Sequence, residues 1–206
     1  MYRFLAFSLF MILSQRLIAQ DQLSQNKIEK LYRSGTELIN HSNYGAARMV
    51  FSEFLLLAPP TDSRRGEAEY YVAFSALSLG HRDGEKLIDD FIDNNPSSPK
   101  ASTAYYDLAN FFYAEANYVK ASSYFKKVNF PALTAEQQSQ GHFKFGYSYF
   151  SQKKLEEALE QLNFVKRQSN AYSPASNYYA GYIEYSTGKF DEALFDLKKA
   201  ETSPVY

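Results

Sequence analysis

Apolar residues along this chain follow a helical period, and the pattern itself repeats. A small residue recurs as Ala47, Gly84, Ala121, Ala158 and Ala193, at intervals of 37, 37, 37 and 35 residues. Four positions later comes Phe51, Ile88, Phe125, Leu162 or Leu197, and seven later comes Phe54, Phe91, Val128, Val165 or Ala200. Offsets of four and seven lie on one face of an α-helix. Three positions before the small residue stands Tyr44, Tyr118, Leu155 or Phe190, with His81 in that place in the second period. Twelve positions before it lies another small site: Gly35, Val72 with Ala73 beside it, Ala109, Gly146 and Gly181. That site belongs to a preceding helix, where a small side chain lets two backbones approach. Each period therefore predicts a helical hairpin.

Helix-boundary chemistry agrees with this division. Ser98-Pro99 and Ser173-Pro174 each offer an N-cap followed by proline at the first helical position. Thr134 to Gln137, "TAEQ", has the form of a capping box. Pro59-Pro60, Pro96 and Pro131 close the preceding helices. No low-complexity linker divides the chain. The expected hairpins span approximately 27–60, 64–97, 98–133, 134–172 and 173–206.

These features resemble the tetratricopeptide repeat, most clearly in "YYAGYIEYSTGKFDEALFDLKKAETSP" and "FKFGYSYFSQKKLEEALEQLNFV". The shared hallmarks are the Gly or Ala of the first helix, the Gly-x-aromatic turn, and two small or apolar positions seven apart in the second helix. The resemblance runs from about Lys27 to Tyr206. The second period departs from it, with Gly84 where Ala is usual, and Tyr105 and Leu31 take the large early position in two units. The resemblance implies an all-α fold: an α-solenoid of about five tetratricopeptide-like hairpins in a right-handed superhelix, each packing mainly on its neighbours.

Composition narrows the functional classes. The 206 residues carry a formal net charge of -1, which gives no electrostatic basis for binding nucleic acid. There is no cysteine, and so no disulfide, thiolate nucleophile, zinc-thiolate site or lipid-modified cysteine. At the N-terminus, Arg3 precedes an apolar run from Phe4 to Leu13, and "LIAQ" places Ala19 at a cleavage point. This pattern predicts a signal peptide over 1–20, too short to span a bilayer, and an exported, periplasmic or extracellular chain without a transmembrane span.

Candidate chemistry is sparse. His41, His81 and His142 have no second histidine at helical spacing, so no metal site is expected. Ser123–Lys126 and Ser151–Lys154 match Ser-x-x-Lys, but no Ser-Asp-Asn or Lys-Thr-Gly accompanies them. The acidic clusters "EEALEQ" and "DEALFD" open second helices, where carboxylates favour the positive end of the helix dipole. No Gly-rich phosphate loop is present. The expectation is a protein that is not an enzyme and has no cofactor or metal.

The 18 Tyr and 17 Phe carry the strongest functional signal. One first-helix position is aromatic in every unit: Tyr32, Tyr70, Tyr106, Phe143 and Tyr178. Four residues on come Thr36, Phe74, Asn110, Tyr147 and Tyr182, and three further Ile39, Leu77, Tyr113, Phe150 and Tyr185. In tetratricopeptide proteins the first helices line a concave groove for peptides or partner helices. The partner-binding candidates are therefore Tyr106, Asn110, Tyr113, Phe143, Tyr147, Phe150, Tyr178, Tyr182 and Tyr185, with Asn110 as a clamp for a ligand backbone. The same rings could instead fill space between repeats. The resemblance implies a non-catalytic interaction scaffold of the bacterial cell envelope; the alternative is a glycan- or nutrient-capture protein of the outer-membrane import type. Ser203-Pro204 would begin a sixth first helix without a capping element. This predicts the N-terminal part of a longer array, or self-association through an uncapped end.

Overall fold

The repeated small residues mark where one helix crosses another. In the computed structural model, which describes residues 22–202, the chain forms two compact units divided between Pro96 and Ser97. The signal peptide expected over 1–20, with Ala19, and the tail Ser203-Pro204-Val205-Tyr206 lie outside the described residues. Among the described residues all regular structure is helical. The first unit contains a helix through 22–40 (α1), then α2 (Tyr44–Leu57), α3 (Arg65–Ser78) and α4 (Gly84–Asn94). The second contains α5 (Pro99–Ala114), α6 (Tyr118–Phe125), α7 (Ala135–Ser151), α8 (Leu155–Val165), α9 (Ser173–Ser186) and α10 (Phe190–Thr202). A short 3-10 turn, Phe130–Ala132, lies between α6 and α7.

The helical stripe read from the sequence is the buried stripe. Ala47, Phe51 and Phe54 are buried on α2, and Gly84, Ile88 and Phe91 on α4. Ala158, Leu162 and Val165 are buried on α8. In the first unit, Phe51 and Phe54 join Ile28, Ala58 and Ala68, with Leu31, Tyr32 and Tyr71 packed around them. Each fully buried phenylalanine contributes about 2–3 kcal/mol of hydrophobic stabilisation. On α10 the pattern shifts: Ala193 and Asp196 are buried, while Leu197 and Ala200 are only half-buried.

The small first-helix sites make room for a side chain as well as a backbone. A Cβ on Gly181 would stand 2.8 Å from Leu197 Cγ and 3.2 Å from the Ala193 carbonyl oxygen. Gly146 has the same relation to Leu162 Cγ, at 2.9 Å, and to the Ala158 oxygen, at 3.1 Å. The large residue four places beyond the small one in the second helix thus fills the notch that glycine leaves.

All five hairpin turns use one backbone device. Ser42, Gly80, Ala116, Lys153 and Gly188 each have positive φ, between 54° and 80°. The next amide in each case reaches back five residues: Asn43 to Leu38, His81 to Ala76, Asn117 to Phe112, Lys154 to Tyr149 and Lys189 to Glu184. This is the Schellman ending, which satisfies carbonyls left over at a helix C-terminus. Three of the five positive-φ residues carry a Cβ, and left-handed backbone costs such a residue about 1 kcal/mol or more. Ala116→Gly is therefore expected to stabilise the second unit by about 1 kcal/mol, read as a higher urea midpoint at unchanged m-value.

Helix starts follow the sequence reading with one correction. Ser98 accepts the Lys100 amide at 3.3 Å with Pro99 next in line. The Thr134–Gln137 capping box is closed in both directions, at 3.0 and 3.3 Å. Ser173, however, is not an N-cap. It is the first residue of α9, Tyr172 holds the cap position without a side-chain bond, and the Ser173 hydroxyl donates to the Val165 carbonyl at 3.2 Å. The serine thus ties α9 to the end of α8, while Asn170, in the loop, accepts the Tyr172 amide at 2.9 Å.

Candidate functional site

The second unit gathers its aromatic side chains into one continuous cluster. Tyr113 from α5 meets Tyr118 at the start of α6 (5.7 Å between ring centroids) and Tyr147 from α7 (5.8 Å). Tyr147 also meets Tyr118 (5.4 Å) and Tyr179 of α9 (5.1 Å). Phe143 touches Tyr147, Tyr172 and Tyr179, and Phe150 touches Tyr147, Tyr179 and Tyr182. Most of these contacts are edge-to-face or tilted, the geometry the ring quadrupoles favour. Burial pushes the phenols of Tyr113, Tyr118 and Tyr179 up from their ordinary value, and neighbouring phenols add to the effect. They remain neutral hydrogen-bonding groups at physiological pH.

On this bed stand the exposed rings. Tyr178, Tyr182 and Tyr185 are 52%, 52% and 64% exposed, and Phe190 at the head of α10 is 62% exposed. Their spacing of four and three puts the tyrosines on one face of α9. Each leans on a neighbouring ring: Tyr178 on Tyr179 (5.3 Å), Tyr182 on Phe150 (5.6 Å) and Tyr185 on Phe190 (5.6 Å). Such rings offer large contact area with little rotamer freedom left to lose on binding.

The remaining candidates divide into support and core. Tyr113, Phe143, Tyr147 and Phe150 are half-buried within the cluster. Tyr106 is 5% exposed, so it packs in the core and offers no contact surface. Its hydroxyl donates to Gln140 at 2.6 Å, its ring meets Phe125, and burial pushes its phenol up to about 12. Asn110 is half-buried with both ends of its amide engaged. It donates to the Tyr106 carbonyl at 2.8 Å and accepts from Lys144 Nζ at 2.5 Å. Lys144 also lies over the Tyr113 ring at 5.4 Å, and burial lowers its pKa.

Tyr179, Tyr118 and Lys144 were not among the sequence candidates, although Tyr179 is a hub of the cluster. Its position one turn before Tyr182 and two turns after Tyr172 was the available signal; the neighbouring Tyr178 occupied the template position instead. The histidines lie elsewhere. His41 and His81 are exposed, bonded to the Glu37 carbonyl and to Arg48 respectively. His142 is stacked between Phe130 (3.9 Å) and Phe164 (4.4 Å), and burial lowers its pKa. Among the described residues no group of three or more His, Cys, Asp or Glu could hold a metal ion, and no helix is long and apolar enough to cross a membrane.

No protein-family model matches this chain, and no curated protein matches it significantly. Solved structures do. The MamA RS-1 ArsTM double mutant is 13% identical, with a TM-score of 0.64 over 85% of this chain and 93% of that one. MamA from residue 41 to its end, from Desulfovibrio magneticus RS-1, is 13% identical with a TM-score of 0.61 over the same shares. A proposed kinesin light chain of Podospora anserina with nearly identical TPR-like repeats is 12% identical, with a TM-score of 0.59 over 84% of this chain and 93% of that one. At these identities the likeness is one of fold. The chain is an all-α array of tetratricopeptide-like hairpins.

Proposed function

We propose that this protein is a non-catalytic interaction scaffold that binds a partner protein through the aromatic face of its second unit. The observation that carries this reading is the row Tyr178, Tyr182 and Tyr185, each about half exposed or more and each braced by a ring beneath or beside it. Tyrosine is enriched at protein interfaces because it joins apolar area to a polar tip. The tetratricopeptide-like fold supports the same conclusion. An extended peptide or a helix from the partner would lie across α9, with Phe143, Tyr147, Phe150 and Tyr179 as the fixed bed. Tyr106 and Asn110 would hold the neighbouring helices in register. The proposed setting is the cell envelope, supported by the N-terminal sequence from Arg3 to Ala19.

A photocrosslinking side chain at Tyr178, in the exported mature chain, is expected to capture a discrete partner. Tyr182→Ala and Tyr185→Ala should each weaken binding of that partner about tenfold, which corresponds to about 1.4 kcal/mol. Helicity and melting temperature should stay near those of the parent, because both rings project outward. Affinity indifferent to both substitutions would overturn the reading.

A further inference from the structure

The junction of α8, α9 and α10 encloses three charged side chains where a core would normally be apolar. Lys166, the residue that ends α8, contacts Glu184 Oε1 of α9 at 3.0 Å and Asp196 Oδ2 of α10 at 2.5 Å. Their side chains are 9%, 5% and 5% exposed. Two carboxylates therefore meet one ammonium with little access to bulk water, leaving one negative charge uncompensated if both acids are ionised. Both carboxyl groups are drawn to the same ammonium, which places them side by side in the enclosed junction. Glu184 Oε2 is fully buried, and no donor bonds it. Two ionised carboxylates cannot hydrogen-bond to each other; a carboxylic acid and a carboxylate can.

We propose that Glu184 and Asp196 share a single proton, and that this proton locks the α9–α10 hairpin onto the end of α8. The shared proton gives the orphaned oxygen a partner, and with Lys166 it brings the triad to electrical neutrality. Burial, the larger effect, and the Asp196 charge both push Glu184 above the ordinary glutamate range, against the opposing pull of Lys166. The other charged groups near the triad are Arg167 of the loop after α8 and Asp191 and Glu192 of α10. They line an open depression of about 320 Å³ together with Lys166, Asp196 and Phe195. Lys199 stands one turn beyond Asp196 on α10. That depression brings water to the edge of the triad and gives the proton a route to solvent.

The sign of the effect follows from the direction of the shift. An acid held above its unfolded value binds its proton more tightly in the folded chain. Its stabilisation is complete below the ordinary glutamate pKa of about 4.3 and is lost as pH rises through the elevated value. The hairpin therefore loosens on the alkaline side, opposite to an ordinary ion-paired carboxylate. Because α9 and α10 carry Tyr182, Tyr185 and Phe190, proton loss would also loosen the most exposed part of the aromatic row. That consequence alone rests on the proposed partner-binding role.

Amide hydrogen exchange on the full chain between pH 5 and pH 8, corrected for intrinsic exchange, tests the proposal without any partner. Protection of α10 relative to α7 is expected to fall about tenfold or more as pH rises. Glu184→Gln places an N–H donor where the acid proton sat, so α10 should stay protected with a flat profile. Asp196→Asn should flatten the profile in the same way and serves as the second reading if the first variant fails to fold. Parallel α10 and α7 profiles in the parent chain, or an unchanged slope in both variants, would overturn the shared proton. Either result leaves the partner-binding reading intact, and failure to find a partner leaves the exchange result intact.

Discussion

Lys166→Met is expected to destabilise the protein by about 3–5 kcal/mol at neutral pH, the usual cost of removing one member of a buried ion pair. The effect comes from what the substitution leaves behind. Glu184 and Asp196 remain enclosed between α9 and α10 with their counter-charge gone. Methionine can fill the lysine's path through the core but cannot donate to either carboxylate. Asn177, which donates to the Lys166 backbone carbonyl at 2.8 Å, keeps that contact because the backbone is unchanged. Urea denaturation of the variant should show a much lower midpoint. Replacing all three residues by apolar ones should recover most of the loss, since buried triads often contribute little over a packed hydrophobic core. A loss below about 1 kcal/mol in the single variant would show that water reaches the triad.

Gly84→Ala is expected to cost about 2 kcal/mol despite replacing glycine with the best helix former. A Cβ at this position would stand 2.6 Å from Leu77 Cα, 2.7 Å from Leu77 N and 3.0 Å from Ala76 C. These are backbone atoms of α3 and cannot rotate aside, so α4 must shift bodily. Overpacking of this kind costs about 1–3 kcal/mol. The propensity gain of Ala over Gly is at most about 1 kcal/mol, and less at the first residue of a helix. The clash therefore wins. Circular dichroism and urea melts on the full chain check it, and a variant as stable as the parent would mean that the α3–α4 contact is looser than its geometry. The same contact explains why the second period departs from the repeat pattern: its helices cross closer than an alanine allows.

Most of the fold was legible because helix formation reports on local spacing. Ala47, Phe51 and Phe54 predict their own burial, as do Ala158, Leu162 and Val165, since residues four and seven apart must share a face whatever lies opposite. Ser98 and the Thr134–Gln137 box were readable as caps because a cap needs only its own next few amides. Ser173 was misread because its hydroxyl is claimed by Val165, a residue of the preceding helix. A local pattern cannot show that competition.

The aromatic face divides along the same line. Tyr178, Tyr182 and Tyr185 stand on one side of α9 by spacing alone, and the sequence named them together. Tyr106 holds the same repeat position as Tyr178 yet lies in the core, because Gln140 and Phe125 enclose it. Tyr178 lacks such cover and stays exposed. Tyr179 became a hub through rings contributed by α7, 29 to 36 residues earlier in the chain.

By itself the sequence determined the helices, their pairing into hairpins and the face each one buries, because these follow from contacts within a few residues. Only the tertiary structure decided which rings are covered, why Gly84 must be glycine, and that Lys166, Glu184 and Asp196 meet. Those outcomes depend on how adjacent helices are rotated and how closely they cross. Packing between helices sets both, and no spacing within one helix encodes either.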